Sequence, residues 1–502
     1  MYINNKLLIG KNNDKEVCLL PSMANRHGLI TGASGTGKTI TSKVMAESFS
    51  DLGVPVFMAD VKGDLAGTAV IGEMNDNISK RVTNLKLDNF EVKEFPVRFW
   101  DVYRVNGHPI RFKVSDVGPN ILSIMLGLSE AQEGVLNIVF KVAEDEGMNL
   151  DDLSDLKSIL NYVGENRAKY TIDYGNVTTQ SVGVILRSLN ALENQGLDKF
   201  FGEPELNIHD FVSIDNNGKG IINILDAVEL YTNPDLYSAV MLCMLTKLYD
   251  SMPEVGDLDK PKIVFFFDEA YFLFREMPPY RLKQVEKIVR LIRSKGIGLY
   301  FISHYTTDIP DAILEQLGNR VQHNLRAYTP ADQKIAKAAA DSFRTNPNFK
   351  TYETILELGT GEAIVSFQNE KGEPEVCERV FILPPQSKIG IIDDMTRNRI
   401  INQSPLAGKY DEDIDDRSAS EIINEVREKE NIKKEEINKE KEEAKRLKEE
   451  EKAKALAEKE KNRQEREKKN TPQYKLGKKV VNKTTDKLLN RIINKVLKGL
   501  FK

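Results

Sequence analysis

Three glycines, an amine and three hydroxyls fall within the eight residues Gly32-Ala33-Ser34-Gly35-Thr36-Gly37-Lys38-Thr39. Glycines let a backbone curl with its N–H groups facing inward, which makes a cradle for an anion. An amine after the last glycine can bridge the β- and γ-phosphates of a nucleotide, and the next hydroxyl can hold Mg2+. The stretch matches GxxxxGK[ST] in full, follows the apolar Leu29-Ile30-Thr31 and opens a helical pattern from Ile40 to Phe49. A helix beginning there adds partial positive charge to the cradle. All eight residues are therefore expected to bind the triphosphate of ATP, with Lys38 also catalytic and Thr39 holding magnesium.

The apolar run Ile263–Phe267 ends in Asp268-Glu269. One carboxylate there can hold Mg2+ through water while the other orients the attacking water, so Asp268 is the expected metal ligand and Glu269 the expected catalytic group. A similar run, 298–302, ends in Ser303-His304; either side chain could sense the γ-phosphate or position water, and a surface turn would read the same. Asp60-Val61-Lys62-Gly63-Asp64 follows the run 54–59, on the ligand side of a parallel sheet or in a plain turn. Arg320 and Arg326 could each act in trans as an arginine finger on the transferred phosphoryl group, or form a structural salt bridge.

These groups need a scaffold. The runs Gly28–Thr31, 54–59, Ile263–Phe267 and 298–302 lack strict alternation, as strands covered on both faces of a parallel sheet should. Helical patterns separate them, so the fold class is α/β. A further strand at 220–225 precedes a helix over Pro234–Ser251. The core is expected in two parts, 1–67 and 219–395. Between them lies an insertion, 68–218, with β structure over 90–114 and then helices over 130–146, Leu153–Glu165 and 178–195. Segments 361–367 and 375–383 read as two strands around a turn, after which Pro384-Pro385 closes the globular part.

Residues 411–416 read as an acidic linker. Residues 421–470 carry 17 basic and 16 acidic side chains, many at i,i+4 spacing, which supports an exposed helix. Their apolar positions hold no heptad, which favours a solvated single helix or disorder over a coiled coil. In the last segment, 471–502, Leu488-Leu489, Ile492-Ile493, Val496-Leu497 and Leu500-Phe501 repeat on one helix face, with Arg491, Lys495, Lys498 and Lys502 opposite. That end, 488–502, could pack on the body, lie on an anionic membrane surface or bind nucleic acid.

The 502-residue chain is 40% hydrophobic with a net charge of −5, so most of it can bury a core and its bulk charge does not announce a nucleic-acid binder. Residues 471–502 hold nine Lys or Arg against Asp486, a local charge of +8 that leaves −13 for the rest. Cys18, Cys243 and Cys377 are odd in number and far apart, which speaks against a disulfide framework and for a reducing cytosol. The N-terminus has no apolar signal core, and no apolar run reaches the ~18 residues that span a bilayer. A cytoplasmic location is expected.

Together these residues resemble the HerA/FtsK branch of P-loop ATPases, and within it the bacterial HerA-like helicase family. The resemblance rests on Gly32 to Thr39, on Asp60 to Asp64 with the following Leu65-Ala66-Gly67, and on Gly107-His108-Pro109-Ile110-Arg111. It rests also on Ser115 to Pro119, Phe200 to Pro204, Phe267 to Ala270, 301–310, 317–330 and 381–390, and covers most of residues 1–395. It implies a RecA-like core assembled as a ring, commonly a hexamer, with ATP at subunit interfaces and DNA translocation or unwinding as the work. Relatives usually carry Thr-Gln in place of Ser303-His304, so His304 would have to substitute for that Gln. Archaeal HerA proteins place a β-barrel before the phosphate loop; 31 residues precede Gly32 here, too few for one, so its ring contacts would come from elsewhere. The competing reading is a nucleotide-gated assembly or interaction protein tethered through its C-terminal helix, without translocation, because fold alone does not settle function.

Overall fold

The computed structural model describes residues 1–468 except 14, 276, 415 and 416. Met1–Ile423 is one compact unit, and the chain from Asn424 onward is a second. The first unit opens with strands β1 (Tyr2–Ile3), β2 (Lys6–Asn12) and β3 (Lys15–Leu19). Strand β4 (Gly28–Thr31) then feeds helix α1 (Lys38–Asp51) and strand β5 (Val56–Asp60). Helix α2 (Asp76–Leu85) precedes β6 (Val97–Asp101) and β7 (His108–Pro109). A helical stretch follows: α3 (Val114–Met125), α4 (Glu130–Asp145), α5 (Leu153–Glu165), α6 (Arg167–Tyr174) and α7 (Thr179–Asn194). The core resumes with β8 (Ile222–Asp226), α8 (Pro234–Ser251), β9 (Ile263–Phe267), α9 (Tyr271–Phe274), α10 (Pro279–Leu291) and β10 (Ile297–Ser303). Next come α11 (Asp311–Leu314), β11 (Asn319–Gln322), α12 (Pro330–Asp341), α13 (Thr351–Glu357), β12 (Glu362–Ser366) and β13 (Glu378–Ile382). Helices α14 (Asp394–Gln403) and α15 (Ala419–Lys468) end the described chain.

The strands join one sheet in the order β1-β2-β13-β12-β11-β4-β10-β9-β5-β8-β6-β7, with β3 also on β2. From β11 to β7 every neighbouring pair is parallel. Strands β12, β13 and the N-terminal β1–β3 extend it antiparallel at one side. The α/β class and the mainly parallel sheet are thus as the apolar runs imply. Along β9, Val264 and Phe266 join the core that includes Val44, Met45 and Phe49 of α1. Side chains alternate across a strand, so Phe265 and Phe267 face the other way, where they stack on Phe57 at 4.6 Å and Phe301 at 5.4 Å. Both faces being covered is why the run shows no polar alternation.

Two boundaries differ from expectation. The β structure over 90–114 is not part of an insertion. Strand β6 pairs with β8 from Val97↔Ile222 to Asp101↔Asp226, inside the central sheet. Buried Trp100 fixes it there, its indole N–H donating to Asn223 Oδ1 at 2.9 Å. Only the helices from α3 to α7 are inserted. Nor does Pro384-Pro385 close the globular part. Beyond α14, Tyr410 is buried with its ring 5.9 Å from that of Trp100, and Asp413 meets Arg104 and Arg111 at 2.8 Å each. Arg111 is fully buried, and a buried cation needs a counter-charge. Tyr410 and Asp413 therefore fasten the start of the acidic stretch to the body as a strap.

Residues Ala419–Lys468 form one helix of 50 residues, roughly 75 Å long at 1.5 Å per residue. The amphipathic segment 488–502 lies outside the described residues. Among the described residues no helix is long and apolar enough to cross a membrane, and Cys18, Cys243 and Cys377 are free.

Candidate active site

Parallel strands send their carboxyl ends to one edge of the sheet, where α/β folds place their ligands. Strand β4 ends there at Thr31, and the loop 32–37 leads into α1 at Lys38. The loop needs its glycines. A Cβ on Gly32 would lie 2.5 Å from His323 Cβ, and Gly37 sits at φ 119°, where side chains are strained. Its backing comes from neighbouring elements: Ala33 N donates to Asn324 O at 2.9 Å, and Gly361 N donates to Thr36 O at 3.0 Å. The amides of Ser34, Gly35 and Gly37 make no backbone hydrogen bond among the described residues, which leaves them to an anion.

Lys38 is buried and curls over the loop, donating to Gly32 O at 2.7 Å and Ala33 O at 3.2 Å. Burial lowers its pKa, against the pull of the Glu269 and Asp268 carboxylates. Thr39 follows it in the first turn of α1.

Those carboxylates stand at the end of β9, two strands from β4 with β10 between. Tyr237 of α8 donates its hydroxyl to Asp268 O at 2.7 Å, and Glu269 N donates to Asp268 Oδ1 at 2.9 Å. Burial and the neighbouring Glu269 push the Asp268 carboxyl up to about 7. A half-buried acid of that kind favours a bound cation as partner. Among the described residues no three His, Cys, Asp or Glu side chains form a metal cluster. Mg2+ takes one or two protein oxygens together with phosphate and water, and the Thr39 hydroxyl and Asp268 offer such oxygens.

Glu269 is 4% exposed, and its Oε2 lies 3.3 Å from His304 Nε2. Burial opposes its charge, yet His304, Lys62 and Lys38 hold its carboxyl below the usual range. Ser303 is engaged elsewhere, its hydroxyl donating to Asp308 at 2.7 Å, so of the pair at the end of β10 only His304 faces Glu269. In the turn after β5, Asp60 accepts from Asp64 N at 3.1 Å and Leu65 N at 3.0 Å. It is a structural acid, and burial pushes it up to about 6. Lys62, on the same turn, is exposed.

Arg320 is tied to backbone carbonyls of its own chain. Its guanidinium donates to Leu317 O at 3.1 Å and to Ser342 O and Leu314 O at 3.2 Å each. Arg326 is exposed, two residues beyond Asn324 and therefore close to the loop. Buried His323 escaped the sequence reading. Its Nδ1–H donates to Glu362 O, and its Nε2 accepts from the Thr41 hydroxyl, both at 2.8 Å, which wedges it beneath the loop. The signal was the polar run Gln322-His323-Asn324 after Val321, like the polar ends of β9 and β10.

The chain is similar to the DNA double-strand break repair helicase HerA of Saccharolobus solfataricus, 23% identical over 370 residues that make up 71% of this chain and 64% of that protein. Its namesake from Sulfurisphaera tokodaii is 20% identical over 374 residues, 73% of this chain and 67% of the relative. The chain thus spans about two thirds of the length of these curated relatives. Among solved structures, plasmid coupling protein TrwB in complex with ADP and Mg2+ aligns at 12% identity over 72% of this chain and 86% of its own, with a TM-score of 0.47. VirB4 of Thermoanaerobacter pseudethanolicus aligns at 13% identity over 79% and 99%, also with a TM-score of 0.47. The family model described as helicase HerA-like C-terminal matches residues 5–502, nearly the whole length, and the chain belongs to that family.

Proposed function

We propose that this protein is an ATP-hydrolysing motor that acts on DNA as a ring of identical subunits. One observation carries the hydrolytic part: the Asp268–Glu269 pair ends a strand two positions from β4, whose loop leads to Lys38, close enough for the carboxylates to act on the lysine's charge. In this reading the loop amides and Lys38 grip the β- and γ-phosphates. Thr39 and Asp268 would hold Mg2+, which when bound would supply positive charge against those phosphates. Glu269 draws a water proton toward Oε2 as that water attacks the γ-phosphorus, and the bond from that phosphorus to the β–γ bridging oxygen breaks to release ADP. His304 orients Glu269 from the side. Arg326 reaches a neighbouring subunit's nucleotide, where a guanidinium stabilises charge on the transferred group. Ring assembly and DNA come from the family, with the polymer moved by turnover at the interfaces.

The continuous helix Ala419–Lys468 favours a second reading, a nucleotide-gated assembly module tethered through that helix. Phosphate release with and without single- and double-stranded DNA, for the unaltered protein and Glu269→Gln, separates the two. A motor shows DNA stimulation, and Glu269→Gln keeps ATP binding while losing turnover by at least about tenfold, the scale of a water-orienting group. Turnover indifferent to DNA would leave the assembly module.

A further inference from the structure

The sheet order also says where the rest of the nucleotide goes. Asp268 and Glu269, two strands from β4 on one side, face the γ end of a triphosphate in the loop. The nucleoside must then leave toward the other side, over β11, β12 and β13. Strands β12 and β13 are antiparallel with Glu362 paired to Phe381, so the start of β12 and the end of β13 share the edge that carries the phosphate loop.

Two side chains stand out there. The turn 359–361 touches the loop through the Gly361 N to Thr36 O hydrogen bond of 3.0 Å. Arg81 of α2 donates to Gly361 O at 3.2 Å and Thr360 O at 3.4 Å. Its guanidinium carbon lies 4.8 Å from the centroid of the Phe381 ring. That ring is 39% exposed, although Val380 and Ile382 beside it are buried. Aromatic faces and guanidinium planes are the groups on which proteins stack bases.

We propose that Arg81 and Phe381 form the platform on which the purine base of the bound nucleotide stacks. The proposal rests on reading Gly32 to Thr39 as the triphosphate site. A ring face and a guanidinium carry no base-edge code, so this platform takes adenine and guanine alike and prefers either to a pyrimidine through larger stacking area. Tyr328, 83% exposed beyond β11, is the rival aromatic on this edge.

The test is calorimetric binding of Mg-ATP and of inorganic tripolyphosphate, which has phosphates and no base. Phe381→Ala is the cleaner variant, because Arg81 also holds the carbonyls beside the loop; Arg81→Lys and Tyr328→Ala accompany it. Expected is about a tenfold loss of ATP affinity for Phe381→Ala, a smaller loss for Arg81→Lys, and unchanged tripolyphosphate binding by both. An equal loss for both ligands, no loss of ATP affinity, or a loss confined to Tyr328→Ala overturns the platform. Lys38→Ala tells the two readings apart. It weakens both ligands if the loop holds the triphosphate, and if it weakens neither, the triphosphate reading falls and the platform with it.

Discussion

Glu269 sits at φ 47°, a region that non-glycine residues seldom occupy and that costs on the order of 1 kcal/mol or more. The backbone thus turns its carboxylate into the site, and His304 meets it there at 3.3 Å. A donor at that position helps hold the carboxylate, together with the charges of Lys62 and Lys38. His304→Gln keeps an N–H and should stay within severalfold of the unaltered kcat. His304→Ala removes it and should lower kcat about tenfold with little change in KM. Steady-state ATP hydrolysis checks both, and an unchanged kcat in the alanine variant would free Glu269 from His304. At this scale legibility follows sequence distance. The loop 32–39 and the pair Asp268–Glu269 are contiguous, so their spacing is visible in the chain. The roles of His323 and Gly361 arise only when β11 and the turn before β12 fold against the loop. Arg320 shows the converse: its type suits a finger, and three backbone carbonyls of its own subunit claim it.

Elements bounded by clear signals, such as β4, β9, α5 and α8, start and end where the chain reads as if they should. Strands β2 and β3 carry no such mark, and β2 finds its partner β13 some 370 residues away in sequence, a pairing no local pattern announces. One tie between elements has a pH signature. His27, ahead of β4, accepts from Leu299 N at 3.0 Å through Nδ1 and donates through Nε2 to Val289 O at 2.8 Å. Only the neutral ring satisfies both, and burial lowers its pKa from 6.5 to about 4. The unfolded chain therefore binds this proton first. The stabilisation is whole above pH 6.5 and drains away as pH falls toward 4, by ~3 kcal/mol from linkage. Asp60, pushed up to about 6, titrates in the same window with the opposite sign, so the informative quantity is a difference. His27→Asn, a residue that tolerates positive φ, should be less stable at pH 7 yet lose less stability between pH 6.5 and 4.5. Denaturant melts of both chains at the two pH values decide it.

The whole molecule ends its compact body later than composition suggests. The acidic 411–416 looks like a linker because the partners of Asp413, Arg104 and Arg111, lie some 300 residues earlier in the chain. Three anchors fasten the strap. Tyr410 donates its hydroxyl to Asp210, Asp413 faces the two arginines, and the Ser418 hydroxyl donates to Asp155 at 2.6 Å. Removing the strap would take the counter-charge of Asp413 away from Arg111, which destabilises a buried cation. It would also uncover the edge of Trp100. A chain cut after Ile423 keeps every anchor, whereas one cut after Gln403 keeps none. The 1–423 protein should melt within a few degrees of the full chain and bind ATP as tightly, because no residue of the phosphate loop or of Asp268–Glu269 lies beyond the cut. The 1–403 protein should melt at least ~5 °C lower or aggregate. Differential scanning fluorimetry with and without Mg-ATP compares them, and equal melting of the two fragments would mean that the strap holds nothing together.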